Sequence, residues 1–158
     1  MIKYLYIFIF FFFNINSNAD NKENIINNLK NTKNFNFDFE QNINNKIEKG
    51  NCIIEYPRKI YCEYEGSIDK ILVSNGKSLV IRTKVGYYRY PLNKTPLYLI
   101  LDKKFLINKI SNLEERVVDS SLINYMIKED EYEINVFFNN KTFNLIGWQT
   151  KDIYQNLN

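Results

Sequence analysis

The spacing of apolar residues changes period several times along the chain, and each change predicts an element. Between Asp20 and Asn34 the residues are polar apart from Ile25, Ile26 and Leu29, whose helical spacing predicts a short amphipathic helix. From Phe35 the period drops to two. Phe35, Phe37 and Phe39 fall on one side of a strand, and Asn36, Asp38 and Glu40 on the other. The stretch "GNCIIEYPRKIYCEYEG", residues 50–66, alternates on both sides of Pro57 to Lys59 and predicts a hairpin. One of its faces collects Cys52, Ile54, Tyr56, Ile60, Cys62 and Tyr64, while the other mixes Glu55 and Glu63 with Ile53 and Tyr61. In "ILVSNGKSLVI", residues 71–81, two apolar runs joined by Asn75-Gly76 predict a second hairpin. Further on, Thr95 is placed to cap and Pro96 to begin a short helix carrying the stripe Leu97, Ile100 and Leu101. Residues 116–152 alternate again, with a tight turn at Asn139 to Lys141. The sum is an antiparallel sheet of at least seven strands with about two short helices.

The first 19 residues follow a different pattern. Lys3 precedes the apolar block "YLYIFIFFFF", and Ser17 and Ala19 occupy the small-residue positions of a cleavage site, the layout of a secretory signal. The block is shorter than the ~20 apolar residues of a spanning helix. Residues 1–19 are therefore expected to be a cleaved signal peptide and residues 20–158 a single exported, soluble domain. No cysteine precedes Cys52, so the mature N-terminus carries no site for lipidation.

Composition narrows the function. Removing residues 1–19 takes one of 21 basic residues and none of the 18 acidic ones, which leaves a near-neutral chain with scattered charge and no nucleic-acid footprint. Histidine is absent, which removes the usual general base and the commonest metal ligand. The five glycines are not grouped into a phosphate loop, and Glu114 and Glu115 read as a solvated turn. These features point to a binding or carrier protein without cofactor or metal, and not to an enzyme. Phe35, Phe37, Phe39 and Trp148 read first as core packing. Tyr56 borders a turn and has a polar tip to use.

The two cysteines leave two registers open. If hairpin partners sum to 114, Cys52 lies opposite Cys62 at about 4.5 Å between Cα atoms, within disulfide range. If they sum to 116, Cys62 faces Ile54 and the sulfurs are diagonal neighbours, with Cα atoms roughly 7 to 8 Å apart. The alternatives are a disulfide, favoured by an oxidising compartment, or two small apolar fillers.

The order of the pieces carries a resemblance. A short helix, "FNFDFEQ", the hairpin around Tyr56-Pro57, "ILVSNGKSLVI", "PLNKTPLYLIL" and "LIGWQTKD" together resemble the LolA family of periplasmic outer-membrane lipoprotein carriers over residues 23–153. The resemblance implies a mainly β fold with short helices, an unclosed antiparallel half-barrel with a helical lid over its concave face. It also implies a periplasmic, monomeric chaperone. Such a protein takes acylated lipoproteins from an inner-membrane ABC-type releasing transporter, covers their acyl chains and passes them to an outer-membrane acceptor. Cys52, Ile54, Tyr56, Ile60, Cys62 and Tyr64 would line the lipid hollow, with Leu97, Ile100 and Leu101 on the lid. A charge at Ile54 is then expected to impair lipoprotein release more than folding.

Two departures stand out. Many members have an arginine before the hairpin proline that holds the lid shut; here Tyr56 occupies that place and Arg58 follows the proline. Either the Tyr56 hydroxyl makes the lid contact or the lid is held more loosely. The family pattern also runs a strand or two beyond "LIGWQTKD", which is compatible with a truncated C-terminus and an unpaired last edge strand. A second reading with the same open-sheet architecture is a periplasmic lipid-sensing regulator of envelope stress. The acceptor itself is disfavoured, since it is anchored through a lipidated cysteine.

Overall fold

A computed structural model describes residues 20–43, 46–66, 69–118 and 121–151. The expected signal peptide, residues 1–19, lies outside them. Asp20 caps the first helix, α1 (Asn21–Asn31), by accepting from the Lys22 amide at 3.2 Å, and the helix buries Ile25 and Leu29 one turn apart. Its end is closed by Thr32, whose amide and hydroxyl both donate to the Asn28 carbonyl.

Six strands follow, each antiparallel to the last: β1 (Asn34–Ile43), β2 (Lys46–Glu55), β3 (Lys59–Tyr64), β4 (Ile71–Asn75), β5 (Ser78–Thr83) and β6 (Gly86–Pro91). Next come a 3₁₀ turn (Leu92–Lys94), α2 (Leu97–Ile100) and α3 (Lys103–Asn112). The chain then forms β7 (Arg116–Val118), β8 (Leu122–Glu129), β9 (Tyr132–Asn139) and β10 (Leu145–Lys151), a second antiparallel sheet in the order β10-β9-β8-β7. The fold is mainly β with short helices, antiparallel and not closed into a barrel. Among the described residues, ten strands in two sheets replace the single sheet expected. No helix among the described residues is long and apolar enough to cross a membrane.

Two cores result. Ile25 and Leu29 of α1, Ile100 of α2 and Leu106 and Ile110 of α3 pack on Ile123, Tyr125, Ile127, Ile134, Val136 and Phe138 of the four-stranded sheet. The second core lies on the inner face of the six-stranded sheet, where Cys52, Ile54, Ile60, Cys62 and Leu79 meet Leu92 and Leu101. Thr95 does not cap α2. Its hydroxyl donates back to the Leu92 carbonyl at 2.8 Å, closing the 3₁₀ turn, and Pro96 stands at the start of α2 without a side-chain cap. Helix α3 was not anticipated; its cap is Asp102, which accepts from the Phe105 amide at 3.1 Å.

The hairpin of β2 and β3 takes the register whose partners sum to 114: Cys52 pairs with Cys62, the Cα atoms are 4.1 Å apart, and the sulfurs are bonded. Two rows away Gly50 lies under the Phe39 ring, where an added Cβ would approach Cε1 to 2.7 Å and also collide with the Glu63 carbonyl. The absent side chain lets Phe39 lie edge-on to Tyr64, at 4.9 Å between centroids. Protein isolated without reductant is expected to take up no alkyl group at either cysteine, and reduction is expected to lower its stability by about 2 to 3 kcal/mol, from the short loop closed. Two alkyl groups added without reductant would refute the bond.

Candidate functional site

The outer strands β1 and β10 face each other across a seam, each the edge of its own sheet and not paired with the other. Two cavities open along it. One, of about 460 Å³, lies between α1, β1 and the start of β10, with Leu29, Phe35, Tyr56 and Phe143 among its apolar walls and Asn28, Asn34, Asn36 and Asn144 among its polar ones. The other, of about 310 Å³, runs onto the inner face of the six-stranded sheet and is walled by Phe39, Cys52, Ile60, Cys62, Tyr64, Leu72 and Leu97. Phe37 and Trp148 line both. Their rings stand edge to face, 6.2 Å apart, and form the partition between the cavities.

Trp148 reaches this position because β10 is bulged. Leu145 pairs with Phe138 but Gly147 already pairs with Phe137, so Ile146 is the extra residue and the alternation of the strand inverts there. Leu145 and Trp148, three positions apart, therefore both face inward, opposite the buried Phe138 and Val136. The displaced Ile146 stands half exposed and lines both cavities.

Of the nine residues expected at a lipid hollow, Cys52, Ile60, Cys62, Tyr64 and Leu97 come together in the smaller cavity and Tyr56 borders the larger. Ile54, Ile100 and Leu101 border neither and are fully buried. The expected lid stripe divides: Leu101 enters the core of the six-stranded sheet and Ile100 the other core, while Leu97 touches both. Ile54 is sealed in the first of these, so a charge there would strike folding before binding, contrary to the expectation drawn from the resemblance. Phe37, Phe39, Leu72 and Trp148 are wall residues as well, although burial propensity alone places the three aromatics in the core and nothing local marks Leu72.

The far end of the smaller cavity is tied by a polar cluster. Gln41 and Lys70 both donate to Glu48, at 2.8 and 2.6 Å. Burial alone would raise the Glu48 carboxyl, but the Lys70 bond and its neighbours outweigh it and bring the pKa down to about 2.

The contact between the hairpin and the helical segment is made by Arg58. Its amide donates to the Leu101 carbonyl at 3.0 Å, its guanidinium pairs with the Asp102 carboxylate, and its charged carbon lies 4.3 Å from the centre of the Tyr98 ring. The Ser74 hydroxyl holds the Arg58 carbonyl at 3.0 Å, and Arg58 takes a left-handed φ of +64°. Such a conformation costs about 1 kcal/mol or more in a residue with a Cβ, so these contacts must hold it. The Tyr56 hydroxyl, by contrast, is buried and has no hydrogen-bond partner among the described residues, and burial pushes its phenol well above the usual range. The expectation that this hydroxyl is the latch is thereby corrected: the Arg58 side chain turns toward α2 and α3, and that of Tyr56 packs its ring against Phe35. Burial raises the Asp102 carboxyl, yet the Phe105 amide and Arg58 more than offset this and leave it below its ordinary 3.8. Because folding lowers that pKa, the pair contributes fully above pH 3.8 and is lost as the pH falls through the lower folded value.

Two substitutions separate the roles. Tyr56→Phe removes an unpaired buried hydroxyl, so it is expected to melt at the wild-type temperature or up to about 1 kcal/mol more stably, with unchanged binding of an apolar fluorescent probe. Arg58→Ala is expected to cost about 1 kcal/mol, discounted for a partly exposed pair, and to speed probe entry. Faster entry into Tyr56→Phe would reinstate the hydroxyl as the latch.

No individual curated protein matches the chain. A family model described as outer membrane lipoprotein carrier protein LolA matches residues 30–158, from the last turn of α1 to the end of the chain, and so includes both sheets, the seam and the Arg58 contact. The chain belongs to the LolA family of outer-membrane lipoprotein carriers, periplasmic chaperones and not a family of enzymes.

Proposed function

We propose that this chain is exported to the periplasm, takes lipoproteins from an inner-membrane ABC-type releasing transporter, holds their acyl chains along the seam, and passes them to an outer-membrane acceptor. The observation that carries the reading is the pair of cavities divided by Phe37 and Trp148, the smaller walled mainly by apolar and aromatic side chains, between two strand edges that share no ladder among the described residues. In this reading Cys52, Ile60, Cys62, Tyr64 and Leu97 contact the chains together with Phe39, Leu72 and Trp148, and Tyr56 contacts them from the larger cavity. Ile54, Ile100 and Leu101 support the walls from behind.

The energetics favour such a design. Each methylene moved from water to an apolar wall is worth about 0.8 kcal/mol, so bare acyl chains need a cover in any aqueous compartment. The same gain opposes release. A carrier without a chemical energy source must bind less tightly than the acceptor that follows it, and a cavity with few polar fixing points meets that need. Breaking the Arg58–Asp102 pair is expected to cost about 1 kcal/mol and to loosen the side-chain contact between hairpin and helical segment, while the Arg58 amide bond to Leu101 and the burial of Leu92 and Leu101 keep the two together.

The test is capture. Inner-membrane vesicles containing the releasing transporter are energised with and without the purified protein, and released lipoprotein is counted. Leu72→Asp, at a half-buried wall position, is expected to reduce capture at least about fivefold with only a few degrees' loss in melting temperature. Full capture by the folded variant would remove the inner-face cavity from the acyl site. Phospholipid without lipoprotein on the isolated protein would favour the lipid-sensing regulator instead.

A further inference from the structure

The six-stranded sheet carries an apolar row that continues past the covered cavity. Its register aligns Phe37, Cys52, Cys62, Leu72, Ile81 and Tyr88 on the inner face, one from each strand. The first four line the smaller cavity; Ile81 and Tyr88 lie beyond it. Ile81 is half-buried, and Tyr88 is 56% exposed although it stands on the face that the other strands keep dry. The adjoining row ends in the same way, from buried Leu79 to Tyr90 at 46%. On the other side Gly86 leaves open space, with no atom beyond its own chain neighbours within 4 Å of where its Cβ would be.

We infer that this row is a linear track for one acyl chain, lying across the strands, and that Ile81 and Tyr88 are its outer binding residues. The inference rests on reading the cavity as an acyl site and extends that site by two strands. Continuity argues for it: no charged side chain interrupts the six positions, and nothing polar separates Leu72 from Ile81. Dimension argues for it as well. At the usual strand spacing the four covered positions span about 14 Å and all six about 24 Å. An extended decanoyl chain is shorter than the covered stretch, and an extended octadecanoyl chain is about as long as the whole row. Tyrosines suit the outer end, because the ring offers apolar contact while the hydroxyl stays in water. Arg89, between them in sequence, lies on the opposite face and leaves the track uncharged.

Chain length provides the test. Binding of decanoate and octadecanoate to delipidated protein is measured by calorimetry for the wild type, for Tyr88→Asp and for Tyr87→Asp, the last being an exposed control on the other face of the same strand. Tyr88→Asp is expected to bind decanoate within about twofold of the wild type and octadecanoate about tenfold more weakly, the equivalent of roughly two buried methylenes. Tyr87→Asp is expected to change neither. Undiminished octadecanoate binding in Tyr88→Asp overturns the track, as does equal weakening of both chains. Failure of the wild type to bind either chain removes the acyl reading itself, and the track with it.

Discussion

Phe37 and Trp148 meet where the two sheets face each other without sharing a ladder, and most of what is distinctive in this molecule depends on that contact. In a closed barrel β1 and β10 would pair, and the space between the sheets would fill with side chains. Here the two edges share no ladder among the described residues, and the aromatic pair spans the gap. Trp148 touches both cores, as does Leu97, so the four-stranded sheet with its helices and the six-stranded sheet are joined through these apolar side chains. Such a joint excludes water while leaving room on either side, which suits a ligand that is long, apolar and temporary. The exposed side of β1 carries Asn36, Asp38 and Glu40, polar groups that discourage edge-to-edge association at the open strand.

Beside the burial of Leu92 and Leu101 against Ile54 and Ile60, the hairpin and the helices are linked by a local polar junction. Asp102 serves two structures at once, capping α3 and receiving Arg58. Lys103 adds a second tie by donating to the carbonyls of Lys30 and Thr32 at the end of α1, at 3.0 and 2.8 Å. A junction of two adjacent residues therefore orients α1, α3 and the β2–β3 hairpin together. Helices α1 and α3 share the core of the four-stranded sheet, while the hairpin belongs to the other core.

Most elements were legible in the chain, and the reasons are physical. Phe35, Phe37 and Phe39, the Cys52 to Tyr64 hairpin and the Asn75-Gly76 link announce themselves through period two and turn chemistry, which need only local geometry. Asp102 before Lys103, with Leu106 and Ile110 one turn apart, was an available signal for α3, masked by the apolar run that precedes it. The division into two sheets was not legible, since alternation reports which face a residue takes and not which strand it pairs with. The site was read in part. Cys52, Ile60, Cys62 and Tyr64 follow from face assignment alone. Trp148 does not, because the bulge at Ile146 inverts the alternation and only the pairing reveals it. Arg58 was missed for a related reason: its left-handed backbone turns the side chain away from the direction a regular strand would give it.

Trp148 is the sole tryptophan in the chain, so the central claim, that acyl chains lie along the seam against it, has a built-in reporter. The most direct measurement is its fluorescence during titration with a fatty acid brominated along the chain, since bromine quenches only at contact. The account predicts saturable quenching, reversed by the unbrominated acid. Calorimetric binding of the same acid with unchanged Trp148 emission would contradict it, placing the ligand elsewhere on the protein.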